Sequence, residues 1–196
     1  MDPFRHLTVE EALRPEAANA ILEWLESTDQ FETRHDSANR PYYQFNITRG
    51  KAAAAPPIAR EVFDLAYIDE LRRPLEELFQ TRLRARCSFI ATRYLPGCLA
   101  VAHRDYLPRS PERDGPTHFF IIYINAGWCP KYGGELTLQR SSKPEDVVKK
   151  IAPLHNAGLG MALGRRSYHA VNKVEDGTRY GIQFGFVAES GWYQDG

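Results

Sequence analysis

The sequence carries no surplus of charge, few cysteines and no long apolar run. Lys plus Arg number 25 and Asp plus Glu number 25, so the net charge is zero. Nucleic-acid binders ordinarily carry a basic excess to neutralise phosphates, and nucleic acid is therefore disfavoured as a partner. Cys87, Cys98 and Cys129 are odd in number, and no two have CxxC spacing. That speaks against a disulfide framework or a zinc ribbon and reads as reduced thiols. No apolar stretch approaches the roughly 20 residues that cross a bilayer. The opening MDPFRHLTVEEAL has early acidic residues and no apolar h-region, so no signal peptide is read there. The expectation is a cytoplasmic protein with no membrane partner. Nothing in the chain speaks to oligomeric state.

What is present is an ordinary globular composition, 43% hydrophobic and 26% charged over 196 residues. That is enough chain to bury a core without staples. With no repeat, low-complexity tract or linker, residues 1–196 are expected to form one domain. The first part, to about residue 85, reads as helical support and a possible lid. In EEALRPEAANAILEWLES, Ala18, Ile21, Leu22 and Leu25 recur at helical spacing, predicting a helix over Pro15 to Ser27 with Pro15 in the first turn. A second helix is predicted over Ile68 to Gln80. The polar, aromatic stretch Phe31 to Gly50 between them reads as loop and strand.

Residues 86–190 read as short strands between turns. CSFIATRYL, THFFIIYIN, GELTLQ, GMALG, YHAVNKV and TRYGIQFGF predict a mostly β fold, a sandwich or jelly roll with the helices packed on one sheet.

A metal constellation stands among these strands. His103 and Asp105 in VAHRDY are two residues apart, and side chains at i and i+2 of an extended segment point the same way. His169 in GRRSYHAV supplies a third ligand from a later strand. Two histidines and one carboxylate leave open positions on an octahedral ion, the arrangement of non-haem Fe(II) oxygenases. HxD alone is common by chance. His6, His35, His118 and His155 lack such spacing and read as structural. Arg179 adds a fourth element, ten residues after His169. On its strand Arg179, Gly181, Gln183 and Gly185 share one face, and Tyr180, Ile182, Phe184 and Phe186 share the apolar other. A guanidinium turned toward a cavity needs an anion, and its fork fits a carboxylate.

RYLPG, HRD, FIIYIN, YGGELTL, RRSYHAV and TRYGIQFGF, in this order from about Cys87 to Phe186, resemble the prolyl-hydroxylase-like branch of the 2-oxoglutarate/Fe(II)-dependent dioxygenases. The resemblance implies a double-stranded β-helix. It implies Fe(II) on His103, Asp105 and His169, with 2-oxoglutarate and O2 as co-substrates and ascorbate as a possible reductant. Arg179 and Tyr123 are then expected on the distal carboxylate of 2-oxoglutarate, with Tyr94, Leu136 and Val171 around it. Gln183, Arg93, Arg104 and Trp128 are the substrate-facing candidates, and Arg40 to Arg49 is the candidate lid. Gly185 stands where some relatives carry a bulky aromatic, which here suggests an enlarged pocket.

Asp105 sets the reaction class, because related halogenases replace this carboxylate to admit a halide. Hydroxylation of an unactivated C–H with release of succinate and CO2 is expected. Desaturation, ring closure and epimerisation share the same ligands. An amino acid, a peptidyl residue and a small natural-product intermediate are all open as substrates. Nucleic-acid demethylases of the superfamily carry a second Arg six positions after the first, where this chain has Gly185. The other readings are a non-catalytic ligand-binding or sensor β-helix and a cupin-type metalloenzyme without 2-oxoglutarate; Arg179 argues against the latter.

Overall fold

The computed structural model describes residues 3–35, 41–105 and 115–189. Two antiparallel sheets form its centre. The strands are β1 (His6–Val9), β2 (Glu32–His35), β3 (Pro41–Asn46), β4 (Ser88–Tyr94), β5 (Ala100–His103), β6 (His118–Tyr123), β7 (Leu136–Gln139), β8 (Val147–Ile151), β9 (Gly158–Ala162), β10 (Tyr168–Val171) and β11 (Arg179–Phe186). The helices are α1 (Pro15–Ser27), α2 (Arg49–Ala52), α3 (Pro57–Arg60) and α4 (Leu65–Phe79). The major sheet has the order β1-β9-β6-β11-β4-β3-β2 and the minor sheet the order β5-β10-β7-β8. Strands far apart in sequence are neighbours in space, as a jelly roll requires.

Helix α1 spans the predicted residues, with Pro15 at its start and Ala18, Ile21 and Leu25 buried. Helix α4 begins three residues before the predicted Ile68 and contains Pro74. That proline sits on the exposed face, where the carbonyl robbed of its donor can meet water.

Packing follows from alternation. Tyr180, Ile182, Phe184 and Phe186 point to one side of β11 and join Trp24, Leu25, Ile68, Leu75 and Phe79 in the largest core. That core lies between the helices and the outer face of the major sheet. A second cluster, including Phe119, Ile121, Leu136, Leu138 and Met161, fills the space between the sheets.

Within the first 85 residues β2 and β3 fall in the stretch read as loop and strand, whereas β1 lies in a part read as helical support. β1 pairs with β9, and β3 pairs with both β2 and β4. The candidate lid is thus largely strand: Pro41–Asn46 is tied into the major sheet by backbone hydrogen bonds, so it does not cover the site as a free flap. Arg40 lies outside the described residues. Among the described residues no helix is long and apolar enough to cross a membrane.

Candidate metal centre and co-substrate cavity

The pairing of β10 with β5 sets His169 directly opposite His103, and their rings lie 4.4 Å apart. Asp105 follows His103 by two residues and points the same way. Its Oδ2 is 3.2 Å from His169 Nε2, and its Oδ1 is 3.8 Å from His103 Nε2. One ligand atom from each of the three residues lies within 4.8 Å of the others. Adjacent donors around an octahedral ion with bonds near 2.1 Å stand about 3 Å apart, so the triad needs only a small closure to hold one.

Backbone carbonyls fix the ring orientations. His103 Nδ1 lies 2.7 Å from the Val101 carbonyl and His169 Nδ1 lies 3.0 Å from the Ser167 carbonyl. With an ion bound the proton would stay on Nδ1, and each ring would present its Nε2 lone pair to the shared point. Burial works against the ionised Asp105. The His169 hydrogen bond and the His169 and His103 charges outweigh it and hold the carboxyl below its ordinary range.

A cavity of about 310 Å³ runs from this triad to Arg179 between the two sheets. Arg179 is only 4% exposed. Its Nε donates to the Gly134 carbonyl at 2.7 Å, and its guanidinium lies 5.1 Å from the rings of both Tyr94 and Tyr123. Among the described residues it has no carboxylate partner. A buried guanidinium without an anion is costly. Among the described residues the hydroxyl of fully buried Tyr123 meets no acceptor, and the Arg179 guanidinium is the polar group beside it. Burial pushes this hydroxyl up to about 12, against the lowering pull of Arg179. A buried cation without an anion, beside a buried hydroxyl without an acceptor and across a cavity from a three-ligand metal site, fits a ligand with a carboxylate at its far end.

Tyr94, Leu136, Val171 and Gln183 line the cavity, and the Tyr123 ring stands 5.1 Å from the Arg179 guanidinium. Three substrate candidates are placed elsewhere. Arg93 lies on the opposite face of β4, its guanidinium 4.3 Å from the Phe31 ring and 5.0 Å from the Tyr43 ring. Arg104, between two ligands that point inward, turns outward. It donates to the Arg165 carbonyl at 2.9 Å and lies over Tyr168. Trp128 donates its indole N–H to the Gly133 carbonyl at 2.9 Å and buttresses the turn that holds Arg179. The space expected at Gly185 is already filled: a Cβ there would lie 2.5 Å from Ser88 Oγ and 2.9 Å from Pro116 Cγ.

A model of the 2OG-Fe(II) oxygenase superfamily matches residues 89–193, more than half the chain. The chain belongs to the 2OG-Fe(II) oxygenase superfamily. Its cofactor set is Fe(II), 2-oxoglutarate and O2. No curated protein matches the sequence. Among solved structures, a Pseudomonas putida prolyl-4-hydroxylase matches with TM-score 0.74 at 18% identity, over 93% of this chain and 91% of that one. A Trichoplax adhaerens prolyl hydroxylase, solved with a hypoxia-inducible-factor peptide fragment, matches with TM-score 0.74 at 20% identity, over 94% of this chain and 84% of that one. The viral collagen prolyl hydroxylase of Paramecium bursaria Chlorella virus-1, solved with 2OG, matches with TM-score 0.64 at 13% identity, over 92% and 94%. At these identities the likeness is one of fold, the jelly roll described above.

Two residues of the candidate lid also line the oxygenase cavity. Tyr42 and Gln44 reach it from β3, and Tyr42 stacks on Tyr94 with ring centroids 5.3 Å apart. Alternation along PYYQFN would have put these two on one face. Gly134 adopts φ +74°, and a Cβ there would come within 3.0 Å of Arg179 Cδ. The YGG triplet announced a turn but not this close approach.

Proposed function

We propose that this oxygenase hydroxylates an unactivated C–H of an amino acid, a peptidyl residue or a small natural-product intermediate, releasing succinate and CO2. Asp105 carries the reading. A carboxylate completes the triad on the side where a halide would otherwise bind, which favours oxygen insertion. Fe(II), when bound, supplies the O2 chemistry that couples 2-oxoglutarate oxidation to oxidation of the substrate. The chain's own residues hold and orient. His103, Asp105 and His169 would be the metal ligands. Arg179 and Tyr123 would take the distal carboxylate of 2-oxoglutarate by hydrogen bonds, and Leu136 and Val171 would pack along its methylenes. Tyr94 would hold the guanidinium in place by stacking.

The cavity walls supplied by Phe119, Ile121 and Met161 are apolar and would limit water beside the reacting carbon. Gln183 and Gln44 would be left to position the substrate. Placement matters more than acid–base help here, because the chemistry attacks the nearest suitable C–H. The peptide bound to the Trichoplax neighbour supports including peptidyl residues among the candidate substrates. Aerobic and anaerobic assays of succinate formation with added Fe(II), over panels of amino acids and peptides, test the reading. Oxygen-dependent succinate is expected, together with a product 16 Da heavier, one inserted oxygen. A product lighter by two hydrogens would instead make it a desaturase. His169→Ala should abolish metal-dependent 2-oxoglutarate binding, and full retention would show that the third ligand lies elsewhere.

A further inference from the structure

A second, larger cavity of about 830 Å³ lies on the other side of β4. Phe89 faces it, whereas the next residue, Ile90, faces the metal cavity. One strand thus separates the two. The floor of the outer cavity is apolar. Ile47 and Ile68 are buried, and Phe63 meets Phe89 edge to face at 5.3 Å. Leu65 stands at the mouth with 61% of its surface exposed. The rim is basic, with Arg49, Arg60 and Arg86 against the single carboxylate of Asp64.

Among the described residues none of these three arginines is in an ion pair, and only Arg60 uses its side chain in a hydrogen bond, from Nε to the Ala55 carbonyl. In a chain of zero net charge, three unpaired guanidinium groups around one apolar recess form a local positive excess. Cys87 belongs to the wall. Burial pushes its thiol up to about 12, so it is neutral and apolar and not a nucleophile.

We propose that this outer cavity is a binding site for an amphipathic anion, an acyl-chain carboxylate whose chain lies on the Ile47–Phe63–Ile68–Phe89 floor and whose head meets the arginine rim. The chemistry follows from the lining. Small-ligand sites are recessed, mostly apolar and of a few hundred to about a thousand Å³, with a few polar groups fixing orientation. Planar guanidinium groups at the edge match a carboxylate. A divalent cation would find one carboxylate and three repelling charges. A lipid surface would need a projecting apolar face, and this floor is recessed. The site stands independently of what the metal cavity does.

Dodecanoate, kept below its critical micelle concentration, is the probe, titrated into the full chain by calorimetry. Saturable one-to-one binding is expected, with butyrate much weaker and dodecyltrimethylammonium not binding at the site. The double variant Arg49→Glu/Arg86→Glu changes two exposed side chains, and melting curves check that it folds. It should weaken dodecanoate roughly ten-fold or more, as two attractions become repulsions. Ala53→Trp, also exposed, should block the recess. Equal binding of the cationic surfactant, no saturable binding of dodecanoate by the wild-type chain, or affinity unchanged in folded variants would each overturn the proposal.

Discussion

Tyr123→Phe should move folding stability and 2-oxoglutarate affinity in opposite directions. The substitution removes one oxygen from a fully buried ring and leaves its packing against Arg179 in place. Among the described residues that hydroxyl donates to no acceptor, and the polar group beside it is the Arg179 guanidinium. A buried unsatisfied polar group costs about 1–3 kcal/mol, so deleting it should raise stability by a similar amount. At about 2–4 °C of melting temperature per kcal/mol for a chain of this size, the rise is several degrees. With 2-oxoglutarate bound, the same hydroxyl would donate to a carboxylate. Hydrogen bonds to charged groups contribute about 1.5–3 kcal/mol, so its loss should weaken binding about 10- to 150-fold. Calorimetry of 2-oxoglutarate under anaerobic Fe(II), beside melting curves of the free chain, reads both quantities. Unchanged affinity with unchanged stability would refute the reasoning, because it would mean that the hydroxyl is solvated and faces no ligand.

Other outcomes follow from the same geometry. Gly134→Ala should strain a left-handed backbone position, costing about 1 kcal/mol or more, and push on Arg179. Thermal melting should fall and the KM for 2-oxoglutarate should rise; an unchanged KM would separate the turn from the guanidinium. Arg93→Ala should lower stability by about 1–2 kcal/mol through lost stacking on Phe31 and Tyr43 and leave the KM for 2-oxoglutarate unchanged, as steady-state kinetics would show. His118 is buried and pushed down to about 4 by desolvation. Its unfolded form takes up a proton near 6.5, so the folded state loses stability as pH falls from about 6.5 toward 4. The loss reaches on the order of 3 kcal/mol. Urea melts across that range should show the slope, and His118→Phe should flatten it.

Much of the site was legible because strand alternation and the i, i+2 rule are local. The two faces of β11 and the shared direction of His103 and Asp105 needed only the order of residues. The same rule, applied to β4, would have turned Arg93 away from Thr92 and Tyr94. Nearness in sequence to the metal segment does not carry that direction. The rule also turns Arg104 away, since a residue between two inward ligands must face outward. Trp128 and Gly185 were beyond local rules. The indole is fixed by a carbonyl five residues on, and the space at Gly185 is closed by Pro116 from another loop. β1, β5 and β8 are four or five residues long. At that length periodicity alone carries little information; the equally short β7, β9 and β10 are marked by the turn residues beside them, and pairing with distant strands decides the rest.

β11 carries the anchor of the largest core on one side and, on the other, the buried Arg179 guanidinium proposed to hold a carboxylate. A slip of one residue in its pairing would thrust Arg179 among Trp24, Leu25 and Phe79 and turn Phe184 into the cavity. Such a chain could not settle into a stable but silent form, since the error that empties the site also breaks the core. Insertions and deletions within residues 179–186 should therefore be removed by quality control as misfolded protein, and length variation should fall in the turns at either end.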